Sequence, residues 1–336
     1  MKALNVGLIG CGGFAWAMYI PVLKRNPRYR IYATMDIIGD AARAAAEDTK
    51  AAYWTDDVKR VFSDSNVDVV IITTRHDSHE DLAIKAADSG KNILCEKPMA
   101  LDLEGCMAVA EAVKRNNVIY TIGYNRGLAP MITKAKELLE TLPGKKKMIY
   151  HRMQSPFPES HWTHITEIGG GRFIGEGCHI FDLFCELVQT EPIEVYASGG
   201  TYLDPGKVSI PDSGIVTLTF ADGSMAAALI NSAGCPDFPK EATEIYCDGK
   251  AIYISGFKKM EYYGFEGQKR IDLEYYAEDK GHAVEIDMLA DSIHYGTPSP
   301  NGLLKAARAA VISFKVNTSI RTGRSVGIAK SEYNFE

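Results

Sequence analysis

A short apolar run, Leu4 to Ile9, passes without a linker into Gly10-Cys11-Gly12-Gly13-Phe14-Ala15 and then into the helix-forming stretch AWAMYIPVLKRN. Few sequence features restrict a fold more. A strand that turns through G-x-G-x-x-A into a helix opens a βαβ unit: the first glycine allows the tight turn, the second lets backbone N–H groups approach a pyrophosphate, and a small third residue keeps helix and strand close. Glycine-rich turns are common, so the context must carry the reading. An acid at the end of the next strand is the remaining requirement, and Asp36 ends the run Arg30 to Met35, a little beyond the usual spacing of about twenty residues. Asp36 is placed to accept from ribose hydroxyls, and Ile37 and Ile38 follow it with no Arg or Ser to hold a 2′-phosphate. NAD is therefore expected over NADP, with Gly10, Gly12, Gly13, Phe14, Ala15, Asp36 and Ile37 as contacts. The plainer role for Asp36 is a helix N-cap.

The strand-helix alternation continues through an Ala-rich helix (Asp40 to Lys50), a short helix near Asp56 to Phe62 and the strand Val67 to Thr73. Polar residues then crowd the strand's carboxyl end, where open α/β sheets bind ligands. Thr73, Thr74, Arg75, His76 and His79 are accordingly candidate cofactor contacts, although a lone histidine is more often a helix-start or packing residue. After the helix Glu80 to Ser89 and the strand Lys91 to Cys95 comes Glu96-Lys97-Pro98. In isolation this triplet reads as a surface ion pair before a turn. At the end of a parallel strand, Lys97 is also a point charge and a proton-transfer group. A helix (Asp102 to Asn116) and the strand Val118 to Ile122 bring the parallel strands to five or six. Residues 1–123 are expected to form a doubly wound Rossmann domain.

With 336 residues, 46% of them hydrophobic and 24% charged, the chain is long enough for a second domain with its own core. A net charge of -6 and the absence of long basic runs argue against nucleic acid or an anionic membrane as partner. Seven cysteines without a C-x-x-C pair suggest reduced thiols, and no eighteen-residue apolar run or signal-like start is present, so a cytoplasmic location is expected. Residues 124–336 begin with a helix, Pro130 to Leu142, and become rich in strand-like runs separated by turns such as Ala221-Asp222-Gly223 and Cys247-Asp248-Gly249. These runs predict a mostly antiparallel open sheet closed by helices His282 to Tyr295 and Gly302 to Thr318, giving an α/β domain followed by an α+β substrate and oligomerisation domain.

The second domain concentrates its chemistry in His161-Trp162-Thr163-His164, Gly169-Gly170-Gly171-Arg172 and Gly175-Glu176-Gly177-Cys178-His179-Ile180-Phe181-Asp182. Glu176, His179 and Asp182 fall on neighbouring turns of a helix start, a spacing suited to an acid/base relay. Trp162 and Arg172 suit a substrate wall and a hydrogen-bonding fork, with Arg152 nearby in sequence; Trp162 serves equally well as a core aromatic. The same histidines and Glu176 have zinc-ligand spacing, but the glycine turn already supplies a hydride acceptor, and no metal is expected.

GLIGCGGFA, Asp36, TTRHDSH, GKNILCEKPMA and Gly123-Tyr124-Asn125-Arg126, in this order, resemble the glucose-fructose oxidoreductase, inositol dehydrogenase and rhizopine catabolism (Gfo/Idh/MocA) family over essentially the whole chain. TRHDSH, HWTHITEIGGGRFIGEGCHIFD and DKGH look most like the branch that also supplies the dehydrogenase half of bidomain oxidoreductases. The resemblance implies that Glu96, Lys97 and Asn125 meet cofactor, that Lys97 donates to the oxygen being redoxed, and that His179 accepts the hydroxyl proton. The family's usual Asp-x-x-x-His places its acid at Gly175 here, so Glu176 is displaced by one residue. The expected function is an NAD-dependent dehydrogenase of a secondary hydroxyl on a sugar, glycoside or cyclitol, NADP remaining possible. Substrate contacts are expected from Arg152, Trp162, Arg172, His179 and Asp182, and the protein is expected as a homo-oligomeric dimer or tetramer. Two alternatives share the fold: glycoside cleavage through transient oxidation, and a cofactor-bound regulator without activity.

Overall fold

The computed structural model describes residues 2–275 and 277–335 and divides into two units. One holds the chain up to Tyr124 with His282–Ala307; the other holds Asn125–Gly281 with Arg308–Asn334. In the first, β1 (Leu4–Ile9), β2 (Tyr29–Met35), β3 (Tyr53–Thr55), β4 (Val69–Ile72), β5 (Asn92–Cys95) and β6 (Tyr120–Ile122) form a parallel sheet in the order β3-β2-β1-β4-β5-β6. The chain reverses direction across the sheet beside β1, the switch point at which such sheets bind ligands. All four residues of β4 are buried, as a strand covered on both faces requires. The three-residue β3 was not read from the sequence.

His282–Tyr295, expected in the second domain, belongs to the first unit for a reason of packing. Its Ile286, Leu289 and Ala290 join a core with Leu4, Leu8, Tyr19, Leu23 and Leu94. Tyr29 Oη donates to the Ile286 carbonyl at 2.8 Å, and Arg28 pairs with Asp291 at 2.5 Å. An amphipathic helix carries no sequence mark of which sheet will cover its apolar stripe.

The second unit is built on a nine-stranded sheet comprising β7 (Lys147–Gln154), β8 (Pro192–Gly200), β9 (Ser213–Phe220), β10 (Met225–Asn231), β11 (Glu241–Cys247), β12 (Lys250–Ser255), β13 (Lys259–Tyr263), β14 (Ile271–Glu274) and β15 (Val326–Gly327). Their order is β14-β13-β12-β11-β7-β10-β9-β8-β15, antiparallel except where β10 meets β7. Burial alternates along β9, β10 and β12, with Val216, Leu218, Ala228 and Ile252 facing inward while Met148, Ile215, Met225 and Tyr246 are exposed. The helix Cys178–Val188 covers the inner side, and ten of its eleven residues are buried.

Candidate active site

Strand register sets the chemistry of the first unit. Ile9 is paired with Met35 on one side and Ile72 on the other, and Ile72 with Cys95, so Gly10, Asp36, Thr73 and Glu96 leave the same edge of the sheet. Gly10 has φ +90, and a side chain there would meet the Thr73 backbone at 2.8 Å. Glycine is thus required twice, by conformation and by space. Thr73 Oγ1 donates to the Gly10 carbonyl at 2.6 Å, locking the turn. Asp36 accepts from Cys11 N at 2.7 Å and from Ile38 N at 2.9 Å, which fixes its carboxylate beside the turn. Gly12 and Gly13 have open space where a Cβ would stand, and Phe14 and Ile37 are exposed.

The Glu96-Lys97-Pro98 turn is held from two directions. Glu96 is buried; its Oε1 accepts from Tyr19 Oη at 2.6 Å, and its Oε2 from Lys97 N at 3.2 Å. Gly123 leaves room for that carboxylate, since a Cβ there would lie 2.7 Å from Glu96 Oε1. Tyr19 ends a π-helical turn, Ala15–Tyr19, in the helix that follows the glycines. His79 braces the other side, with Nδ1 2.8 Å from the Pro98 carbonyl and Nε2 3.2 Å from the Thr74 carbonyl. A neutral imidazole has one N–H, so it donates to only one of the two at a time. Burial pushes His79 below its ordinary value, and neighbouring Lys97 adds to this. His79 and His76, expected as cofactor contacts, are both buried, with rings 5.7 Å apart. Arg75 and Lys97 keep solvent exposure, and the Lys97–Pro98 peptide is cis.

In the second unit the glycine run packs the helix start onto the histidine turn. Gly170 and Gly171 have φ +69 and +85, and a Cβ on Gly169 would lie 2.2 Å from Thr163 Cα. Arg172 comes directly after them and is buried, its guanidinium stacked 4.1 Å above the Phe157 ring. Phe157 also packs edge-on against His161 and His164. A second π turn, Phe173–Gly177, then leads into the helix bearing His179 and Asp182, both buried. Glu176, inside that turn, lies 3.9 Å from Arg126 Nη2. Arg126 donates through Nε and Nη2 to the two oxygens of Glu241 at 2.8 and 2.9 Å, and Lys280 adds a 3.0 Å contact. Burial works to raise the Glu241 carboxyl, but Arg126 and then Lys280 hold it well below the usual carboxylate range. His151, 3.8 Å from Glu241, is pushed down to about 4 by burial, with Arg126 acting in the same direction.

Several expected site residues are committed to the surrounding protein. Asn125 Nδ2 donates to the Lys280 carbonyl at 2.8 Å. Arg152 donates to the Pro239 carbonyl at 3.2 Å and lies 4.2 Å over the Phe238 ring. Trp162 stands 5.1 Å from His161, ring to ring. Asp182 is fully buried, 3.6 Å from where a Cβ on Gly127 would stand.

Residues 4–124 match the family profile described as "Oxidoreductase family, NAD-binding Rossmann fold", and residues 132–253 match the "GFO/IDH/MocA C-terminal domain". The chain belongs to the Gfo/Idh/MocA oxidoreductase family. Among curated relatives of this family, the myo-inositol 2-dehydrogenase of Thermotoga maritima is 28% identical over 225 residues, 66% of each chain. The scyllo-inositol 2-dehydrogenase (NAD(+)) of Bacillus subtilis is 31% identical over 205 residues, 60% of this chain and 59% of the relative. The chain thus spans just under two thirds of the length of such relatives. Among solved structures, levoglucosan dehydrogenase in complex with NADH and levoglucosan superposes with a TM-score of 0.87 at 21% identity, covering 97% of this chain and 100% of that one. An oxidoreductase domain protein from Kribbella flavida gives 0.87 at 18%, over 98% and 100%. At these identities the likeness shows the fold.

The first unit fits the dinucleotide of a Gfo/Idh/MocA Rossmann domain. Side-chain-free Gly12 and Gly13, an Asp36 carboxylate fixed by two backbone N–H groups, and exposed Phe14 and Ile37 are the features such a group needs for pyrophosphate, ribose and adenine. Sequence reasoning missed Tyr19, the Glu241–Lys280 partners of Arg126, and Phe157. Tyr19 gives no local signal, since a tyrosine on the buried side of a helix looks like any core aromatic. Arg126 stood in the family's Gly-Tyr-Asn-Arg motif, yet its partner lies 115 residues away.

Proposed function

We propose that the protein is an NAD-dependent dehydrogenase that oxidises a secondary hydroxyl of a sugar, glycoside or cyclitol. The observation that carries this reading is the turn at the end of β5, where buried Glu96, tied to Tyr19, presents a partly exposed Lys97. When bound, NAD supplies the hydride acceptor. Lys97 polarises the substrate oxygen as a hydrogen-bond donor. His179 takes the hydroxyl proton, the general-base role that an imidazole nitrogen serves. Glu176, displaced by one residue from the family's acid position and next to Arg126, orients substrate or His179. Asp36 favours a free 2′-hydroxyl on the adenosine ribose and so NAD over NADP. Inositol and levoglucosan dehydrogenases among the relatives support the reaction class.

The test is a panel of sugars, glycosides and inositols offered with NAD and with NADP, following reduced-cofactor absorbance. Lys97→Ala and His179→Ala should each bind NAD while losing at least about a hundredfold in kcat/KM. Full turnover in either variant would remove the role assigned to it. A relative named 2,7-anhydro-N-acetylneuraminate hydratase, 27% identical over 241 residues, favours one second reading, conversion of a glycoside without net redox. Product release with no lasting absorbance change would establish that instead.

The proposal extends to a cytoplasmic homo-oligomer. Among the described residues no helix is long and apolar enough to cross a membrane, and the exposed Met148, Ile215, Met225 and Tyr246 lie on one sheet. Sedimentation at micromolar concentration measures the assembly.

A further inference from the structure

Arg172 is only 2% exposed, yet its Nε and Nη2 have no hydrogen-bond partner and its guanidinium has no ion-pair partner among the described residues. Its close neighbour is the Phe157 ring at 4.1 Å. An arginine keeps its charge at any ordinary pH, and a buried charge without an anion is among the costliest groups a protein can hold. Sequence placed Arg172 as a polar fork for substrate; the structure shows how unusual its surroundings are.

The carboxylates that face it are already taken. Asp212 accepts from Tyr202 N at 3.0 Å and Leu203 N at 3.1 Å through Oδ2, and from Ser213 Oγ at 2.6 Å through Oδ1. Glu176 is directed to Arg126 at 3.9 Å, and Glu241 is shared by Arg126 and Lys280. Exposed Lys240 adds a further positive charge near Glu176 and Glu241. Glu176, Asp212 and Glu241 thus act on Arg172 only from a distance, and among the described residues none of them forms an ion pair with it. The Phe157 ring holds the guanidinium carbon 4.1 Å from its centre, and the partnerless Nε and Nη2 are two neighbouring donors of the kind a carboxylate accepts from. His164, also packed on Phe157, is 5% exposed, and among the described residues neither ring nitrogen has a hydrogen-bond partner within 3.5 Å, although the Pro158 carbonyl acts on the ring. One buried imidazole beside one buried guanidinium offers a neutral donor or acceptor next to a cationic fork.

We infer that Arg172, set on Phe157 beside His164, binds a carboxylate of the substrate, so that the sugar or cyclitol acted on is an acidic one such as a uronic or aldonic acid. This rests on the dehydrogenase reading only for the word substrate; the anion site itself stands on the arginine's surroundings. Gly169 and Gly171 serve it: the close approach of Gly169 to Thr163 and the 2.9 Å hydrogen bond from Gly171 N to the Thr163 carbonyl bring the arginine onto the histidine turn.

Matched pairs test it in the full-length chain: D-glucuronate and D-gluconate against D-glucose, and D-galacturonate against D-galactose, by calorimetric titration with NADH present and by NAD reduction. The acid of each pair should bind at least about tenfold more tightly than its neutral partner. Arg172→Met should abolish that difference, and Arg172→Lys, which keeps charge without the fork, should restore only part of it. Arg172→Met should also raise the thermal midpoint, because it removes an unpaired buried charge; an arginine of purely structural role would lower it. Phe157→Leu provides a second variant in which the guanidinium remains but loses its aromatic neighbour, and acid affinity should fall. Equal or better binding of neutral sugars, no binding of any sugar acid, or unchanged acid preference in Arg172→Met would overturn the inference. Arg172-dependent acid binding without NAD reduction would sustain it and remove the dehydrogenase reading. NAD reduction by neutral sugars with no advantage for their acids would do the reverse.

Discussion

Tyr19 Oη donates a 2.6 Å hydrogen bond to Glu96 Oε1, joining the helix after the glycine turn to the residue before Lys97. The two are 77 residues apart in sequence and both are buried. Burial and the adjacent carboxylate push the Tyr19 phenol well above its ordinary value, so it remains a donor throughout the working pH range. Tyr19→Phe would leave a buried carboxylate short of one hydrogen bond, at a cost of about 1–3 kcal/mol. Urea unfolding should report that loss, and kcat/KM should drop several-fold as Lys97 is less firmly held. Unchanged stability and turnover would show that Glu96 has enough support from the Lys97 backbone.

Asp36 holds the backbone N–H groups of both Cys11 and Ile38, so it shapes the turn as well as its charge. A carboxylate a few ångströms from a 2′-phosphate is repelled by several kcal/mol at an effective dielectric near 20. Asp36→Ser should weaken NAD and strengthen NADP by roughly tenfold each, measured by fluorescence titration. An unaltered NAD-to-NADP ratio would take the discrimination away from Asp36.

His151 makes stability depend on pH. Burial lowers it to about 4 in the folded chain, against about 6.5 when unfolded, so the unfolded chain binds more protons between those values and stability declines as pH falls through that window. Above it the contribution is fully present. Between pH 7 and pH 5 the loss from this one ring is about 2 kcal/mol, readable from chemical denaturation. His79 and His164 are shifted in the same direction and steepen the slope. His151→Gln, which cannot charge, should remove about that share of it.

Among the described residues, Glu241 is the carboxylate that Arg126 contacts within 3 Å through both nitrogens. Glu241→Ala leaves Arg126 and Lys280 facing each other in a buried setting and should cost about 3–5 kcal/mol, whereas the paired change Arg126→Met with Glu241→Leu should cost far less than the sum of the single losses. Additive losses in the double variant would show that the pair is not coupled.

The information that sequence carries here is local. The strand that runs into Gly10, the acid at Asp36 and the triplet Glu96-Lys97-Pro98 were all legible, because each depends on neighbouring residues and on a fixed period, and the parallel sheet confirms the doubly wound reading. Long-range partnerships left no such trace. His79 is expected as a cofactor contact because it stands at a strand end, and nothing in the sequence shows that it also contacts the Pro98 and Thr74 carbonyls. His282–Tyr295 had the right helix boundaries but gave no sign of which core it covers. The short β3, β14 and β15 were not read, because unlike the equally short β4, β5 and β6 they do not sit within a longer apolar run.

The two π turns carry a consequence of their own. Each widens one turn of helix by a residue, the first ending at Tyr19, the second just ahead of His179. A widened turn is a spare link: removing one residue there would return the helix to ordinary pitch without breaking it, while swinging every side chain downstream part-way round the axis. The segment that holds Gly175 and Glu176 is thus a place where the chain can gain or lose a residue over evolutionary time, keeping its fold while re-aiming the side chains beyond it.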